Sequence, residues 1–320
     1  MFSVESSFIP LPNQLFSLTE NINEVPSVPI PAPAAISPVI LGTALGFHDG
    51  FFNIVIFLMT LFAAILIQIG TNFANDAFDF EKGADNSNRL GPIRATHSGL
   101  ISLRKMKLAA LLAFCISVAI GLYLVIVGGW PILLIGCVSI VAGIIYTGGP
   151  WPIGYHSLGD VFVFVFFGLI AVVGCYYLQS KEISNLAVIL GATVGFIAMA
   201  ILSINNLRDL ESDKLSGKIT IAVKLGQKIT RMNYSLLMIT PYFLVIVIAV
   251  VWSHWWVMLS LLSIPVSIYF VSSVLGGRSG AQLNGALKGT ALVHLIFSTL
   301  LTLISCDSES LLKEFIEVFR

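Results

Sequence analysis

The chain has 320 residues, no formal net charge, 11% charged residues and 57% hydrophobic ones. An ordinary globular protein carries about 25% charged residues, so a soluble fold could not cover this surface. That excludes a cytosolic enzyme, a disordered chain and a nucleic-acid binder with a basic face. Any steering of an anionic ligand must be local, because there is no global field.

In chain order, residues 1–32 contain no Lys or Arg. They lack the charged start of a secretory signal and the Arg-rich character of a transit peptide. Pro26, Pro29, Pro31 and Pro33 suggest a short extended leader. Charge-free intervals follow at 25–48, 50–75, 183–207, 232–277 and 289–306, and Asp160 is the only formal charge between Lys107 and Lys181. About 20 apolar residues span a bilayer as a helix. The alternating short strands of a β-barrel are absent from the pattern. The predicted fold class is therefore all-α: a polytopic membrane protein with about nine transmembrane helices. They fall at roughly 33–47, 51–73, 107–127, 130–147, 158–179, 185–204, 233–252, 255–275 and 286–304. The transmembrane domain occupies 33–305, and 306–320 is a short tail that fits an amphipathic surface helix. His48-Asp49-Gly50 marks a tight hairpin, and Gly128-Gly129 with Pro131 separates the third and fourth helices. Cys115, Cys137, Cys175 and Cys306 form no CxxC pair and read as small packing residues.

Two polar connections interrupt the pattern, 74–106 and 205–231. With their borders they hold Lys82, Arg89, Arg94, Arg104, Lys105, Lys107, Arg208, Lys214, Lys218, Lys224, Lys228 and Arg231, twelve of the 17 basic residues. Nine helices put both connections on one side, together with Arg278 and Lys288. The positive-inside rule makes that side cytoplasmic, with the N-terminus inside.

The first connection contains Asn75-Asp76-x-x-Asp79, followed by Lys82 and Asp85. On a helical extension Asn75 and Asp79 share a face, and Asp76 converges with Asp79. The second contains Asn205-Asn206-x-Arg208-Asp209-x-x-x-Asp213, with Lys218 beyond. Asn205, Asp209 and Asp213 stand at i, i+4 and i+8, one stripe. Carboxylates and amide oxygens are hard ligands that suit Mg²⁺, which keeps waters and bridges to substrate phosphates. Arg208, Arg94, Lys82 and Lys218 are candidates for phosphate oxygens. Two acidic clusters flanked by cations fit a metal–diphosphate site better than two ordinary solvated loops.

Other chemistries find little support. There is no Walker loop and no HExxH, and His48, His97, His156, His254 and His294 are scattered. A transporter is the competing class, since intramembrane carboxylates often mark ion paths. Here the carboxylates cluster at one face, and only Asp160 interrupts the central span.

These two motifs resemble the Asp-rich motifs of UbiA-type intramembrane prenyltransferases. FDFEKGADNSNRLGPIRATHSGLIS (78–102), YTGGPWPIGYHSLGDVFVFVFFG (146–168), NNLRDLESDKLSGKITIAVKLG (205–226) and SPVILGTALG (37–46) are similar to the menaquinone branch, the 1,4-dihydroxy-2-naphthoate polyprenyltransferases. The resemblance covers about 37–305. It implies a nine-helix bundle around a central cavity open laterally to the lipid bilayer. It also implies Mg²⁺-dependent transfer from a polyprenyl diphosphate to a dihydroxynaphthoate-type acceptor, in a bacterial plasma membrane. Loss of the acceptor carboxylate as CO₂ would lead to demethylmenaquinone. Within the family, 4-hydroxybenzoate, homogentisate and chlorophyllide are alternative acceptors. Carried over by motif, Asn75, Asp79, Asn205, Asp209 and Asp213 match the metal–diphosphate positions, Asp76 and Asp85 are helpers, and Arg208 matches a diphosphate-binding arginine. Phe78, Tyr146 and Tyr155 are candidates to border the allylic cation. The chain departs from the family pattern in lacking a basic residue near 29–33 and in carrying Trp151 where several relatives have a basic residue.

Overall fold

The computed structural model describes residues 33–83, 90–91 and 94–304. Asp85, the leader 1–32 and the tail 306–320 lie outside the described residues. Backbone groups in lipid have no water to bond, so apolar runs of this length satisfy them internally as helices. Every regular element among the described residues is a helix, and none is a strand.

The helices are α1 (Pro33–His48), α2 (Ile54–Glu81), α3 (Leu103–Gly128), α4 (Trp130–Ile145), α5 (Gly159–Ser180), α6 (Asn185–Arg208), the short α7 (Leu210–Leu215), α8 (Ile221–Trp252), α9 (Trp255–Leu275) and α10 (Asn284–Ile304). Seven of them are long and apolar enough to cross a membrane; α1 and α4 are shorter apolar helices. At 16 residues each, these two reach about 24 Å, short of a full hydrocarbon core.

Local chemistry sets the ends. Asn53 caps α2 through its side-chain oxygen, which accepts from the amides of Val55 and Ile56 at 2.9 and 3.1 Å. Gly129, at φ 75°, makes the turn into α4, where Pro131 occupies the first turn. α8 is broken at Gly226, whose φ of 75° and ψ of 171° are not helical. The buried Arg231 guanidinium donates to the carbonyls of Val274 (2.5 Å) and Gly277 (3.3 Å), capping the C-terminal end of α9.

α6 is the most buried span. It packs on α5, α8 and α10, and the main core, with Leu41, Val172, Ile197, Tyr234, Met238 and Phe297, surrounds it. α5 and α6 approach closely at glycines: a Cβ on Gly168 would lie 2.7 Å from the Gly191 carbonyl and 2.7 Å from the Gly195 Cα. Small residues at such a crossing are the usual device for close helix packing in membranes. α5 contains a π-helical stretch, Phe164–Ile170.

Four boundaries differ from the hydropathy reading in one direction. α2 continues to Glu81 instead of ending near 73, α3 begins at Leu103 instead of 107, α6 continues to Arg208 instead of 204, and α8 begins at Ile221 instead of 233. The acidic motifs are thus helical residues at an interior end of the bundle. Hydropathy stops at the first polar residue, whereas the helix continues as long as an internal polar cavity receives its side chains.

Candidate active site

The C-terminal ends of α2 and α6 meet at one end of the bundle. Between them lies a polar cavity of about 200 Å³, lined by Asn75, Asp79, Arg94, Tyr146, Thr147, Gly154, Tyr155, Leu202, Asn205, Asn206, Asp209, Ser212, Asp213, Lys218 and Thr220. Two acidic motifs about 130 residues apart therefore share one space. The α6 helix breaks at Asp209, but its register survives: the Asp209 amide donates to the Asn205 carbonyl (3.1 Å) and the Asp213 amide to the Asp209 carbonyl (2.8 Å). Asn205, Asp209 and Asp213 consequently face the cavity together.

Asp79 is the hub. It is almost fully buried. Tyr155 donates its hydroxyl to Oδ1 at 2.8 Å, Lys218 Nζ stands 3.2 Å from the same oxygen, and Arg94 Nη2 stands 3.7 Å from Oδ2. The Tyr155 ring lies between two ammonium groups, Lys218 at 4.7 Å and Lys82 at 4.9 Å from its centroid. Lys82 donates to the carbonyls of Thr147 (2.6 Å) and Gly149 (3.3 Å). Partial burial pulls its pKa below the usual lysine range, against the opposing pull of Asp79. Asn75 accepts from the Thr147 hydroxyl at 2.6 Å. Burial pushes the Asp213 carboxyl up to about 7; Lys218 opposes this, and Asp209 and Asp79 add to it.

Arg208 is turned away from the cavity. Its side chain is 3% exposed. Nε and Nη2 clasp both oxygens of Asp209 at 2.7 and 2.6 Å, Nη2 also donates to Asn205 Oδ1 at 2.8 Å, and Nη1 donates to Asn284 Oδ1 at 3.2 Å. Asn284, at the start of α10, donates in turn to the Leu90 carbonyl at 3.2 Å. A Cβ on Gly91 would lie 2.9 Å from the guanidinium. In this arrangement Arg208 orients Asp209 and Asn205, and four of its five N–H donors are taken within the protein.

Asp76 also stands apart from the cavity. Its fully buried carboxylate accepts from the amides of Ala95 (3.2 Å) and Thr96 (3.4 Å), which pins the turn beside Arg94. Phe78 packs in the small cluster around Ala74, Ala110 and Phe114 and borders neither cavity. Trp151 stacks on His156 at 4.2 Å. Sequence reasoning missed Asn284, which has no local signal, and Thr147, which lies within the quoted YTGG string.

A second, apolar cavity of about 300 Å³ runs among α1 to α5, lined by residues such as Val39, Ile67, Leu122, Gly136, Phe162 and Phe167. Tyr146 borders both cavities. A charged compartment and a lipid-like compartment thus meet at one phenol.

A family model described as the UbiA prenyltransferase family matches residues 35–296. The chain belongs to the UbiA prenyltransferase family. It is a multi-pass membrane protein and an enzyme of the prenyltransferase class. It is 34% identical over 276 residues to the 1,4-dihydroxy-2-naphthoate octaprenyltransferase of Escherichia coli (strain K12), covering 83% of this chain and 90% of that one. The UbiA fold is shared with solved structures. A UbiA homologue from Aeropyrum pernix K1 superposes with a TM-score of 0.66 at 17% identity, over 83% of this chain and 96% of that one. A UbiA homologue from Archaeoglobus fulgidus bound to DMAPP and Mg²⁺ gives 0.60 at 15% identity, over 85% and 96%.

Proposed function

We propose that this UbiA-family enzyme transfers a polyprenyl chain from a polyprenyl diphosphate to 1,4-dihydroxy-2-naphthoate with release of CO₂, supplying demethylmenaquinol for menaquinone biosynthesis. The observation that carries the reading is the junction at Tyr146 of an acidic, cation-flanked cavity with an apolar one. A polyprenyl diphosphate has this same division. The acceptor comes from the naphthoate-specific name of the 34%-identical relative.

The donor set fits Mg²⁺. Asp79, Asp209 and Asp213, with the amide oxygens of Asn75 and Asn205, are hard oxygen groups on one cavity. Among the described residues no three acidic or imidazole groups form a ready-made cage, as suits an ion that is completed by water and substrate phosphates. Bound there, the ion would supply neutralisation of the diphosphate leaving group. The Archaeoglobus homologue bound to DMAPP and Mg²⁺ supports this choice of ion.

The protein's own groups account for the remainder. Lys218 and Arg94, now paired with Asp79, are within reach of phosphate oxygens and stabilise the charge that develops on the leaving group. Lys82 is anchored on the 147–149 carbonyls and steadies the Tyr155 ring from its other side. The apolar cavity holds the prenyl chain and excludes water from the allylic carbon. Attack by the ring carbon that bears the carboxylate gives a β-keto acid, which loses CO₂ and restores the aromatic ring. We also infer that this face is cytoplasmic in a bacterial plasma membrane, from the grouping of fourteen of 17 basic residues on it.

The test is a membrane assay with Mg²⁺, a polyprenyl diphosphate and separate acceptors: the dihydroxynaphthoate labelled at its carboxylate carbon, 4-hydroxybenzoate and homogentisate. One labelled CO₂ per prenylated naphthol is expected. Turnover confined to 4-hydroxybenzoate, or product that keeps the label, overturns the acceptor assignment.

A further inference from the structure

Asp160 is the one formal charge between Lys107 and Lys181, and the diphosphate site makes no use of it. It is the second residue of α5 and is 2% exposed; its Oδ1 has no hydrogen-bond partner. Leaving a buried carboxylate oxygen unpaired is costly, and native proteins rarely do so without a functional reason. The surroundings indicate what completes it. The preceding residue is Gly159, where a Cβ would lie 2.8 Å from the Tyr146 hydroxyl and 3.3 Å from Leu202. Glycine at 159 therefore lets the phenol that borders both cavities reach the N-terminal turn of α5. A carboxylate with one unpartnered oxygen thus sits one residue from the glycine that packs against the Tyr146 hydroxyl, next to the junction of the two cavities.

We propose that Asp160 serves the aromatic acceptor: its carboxylate accepts the hydrogen bond of a ring hydroxyl held beside the Tyr146 hydroxyl, and takes that proton as the ring attacks. The inference rests on the reading of an aromatic hydroxy acceptor above. The step balances. A bond forms between the ring carbon and the allylic carbon, and the C–O bond to diphosphate breaks with its electron pair leaving on the diphosphate. The hydroxyl O–H pair becomes the C=O π bond of the keto acid, and its proton rests on Asp160. When the C–CO₂ bond breaks, its pair re-forms the aromatic ring, the keto oxygen recovers the proton from Asp160, and CO₂ departs. No oxidant or other co-reactant is needed.

The experiment uses the full chain in nanodiscs with Mg²⁺ and a polyprenyl diphosphate. Asp160→Asn preserves size and removes the base; Asp160→Ser is a second, smaller variant. Both should lose about 10²-fold or more in kcat/KM for the acceptor. The KM for prenyl diphosphate and the exchange of ¹⁸O between bridging and non-bridging positions of the diphosphate, measured without acceptor, should stay within about twofold. Asp160→Glu should recover part of the rate, and at saturating Mg²⁺, where protonation of Asp213 is overcome, the acidic limb of the wild-type pH profile for the acceptor should shrink in Asp160→Asn. Unchanged acceptor kinetics in either variant overturns the inference, as does a loss that falls equally on ¹⁸O exchange and prenyl diphosphate binding. The comparison is run with whichever acceptor the wild type uses. Failure of the wild type on the dihydroxynaphthoate counts against the acceptor reading, while a variant that matches the wild type counts against Asp160.

Discussion

Replacing Arg208 by lysine keeps the charge and removes the fork. The native guanidinium makes two bonds to Asp209, one to Asn205 and one to Asn284, from a site that is 3% exposed. A lysine ammonium is a point donor on a different stem and reaches at most one oxygen of Asp209 with comparable geometry. At least one charge-assisted bond to Asp209 and the bond to Asn205 are lost. At about 1.5–3 kcal/mol for the bond to the Asp209 carboxylate and about 1 kcal/mol for the bond to the neutral Asn205 amide, the sum is about 2.5–4 kcal/mol. If that strain appears as misplacement of Asp209 and Asn205, kcat falls by roughly 10²–10³, since about 1.4 kcal/mol is tenfold. Because the guanidinium faces into the protein, the KM for prenyl diphosphate at saturating Mg²⁺ should stay within about threefold, while the Mg²⁺ needed for half-maximal rate rises. Steady-state kinetics of Arg208→Lys in nanodiscs, with thermal unfolding as a fold control, measures all three. A kcat near wild type refutes the positioning role. So does a prenyl diphosphate KM raised more than tenfold with kcat intact, which would put the guanidinium on the diphosphate.

Three more outcomes follow from the same geometry. Asp79→Asn leaves no cavity but removes the charge that Lys218 and Arg94 face, so transfer should fall by about 10²–10³ with thermal stability nearly unchanged; retained activity at limiting Mg²⁺ would remove Asp79 from the site. Asp76→Ala strands the Ala95 and Thr96 amides and should cost about 2–4 kcal/mol, read as faster proteolysis and hydrogen exchange at 94–99, with Asp76→Asn milder; an effect on Mg²⁺ affinity without any change in that turn would contradict its role. With the Asp213 carboxyl pushed up to about 7, a proton competes with the metal below that pH, so the Mg²⁺ needed for half-maximal rate should rise as pH falls from 8 to 6, by up to about tenfold per unit; Asp213→Asn should flatten this dependence.

The sequence by itself determined the fold class, the location of most helices and the two acidic stripes. Those are local properties. Long apolar runs become helices because lipid offers the backbone no other partner, and i, i+4 spacing fixes which side chains share a face. Asn205, Asp209 and Asp213 could therefore be placed on one stripe from spacing alone, and they line one cavity. What each side chain meets was decided by packing between distant segments. Asp76 and Asp79 are three residues apart on one helix. Yet one enters the cavity against Tyr155 and Lys218, and the other pins the 95–96 turn. Arg208 looks like a phosphate ligand in the sequence and is instead claimed by Asp209 beside it and by Asn284, 76 positions away. Nothing within a helical turn of Tyr146 reveals that it separates a charged cavity from an apolar one. Spacing along a helix fixes a direction, but only the helices packed around it determine what lies in that direction.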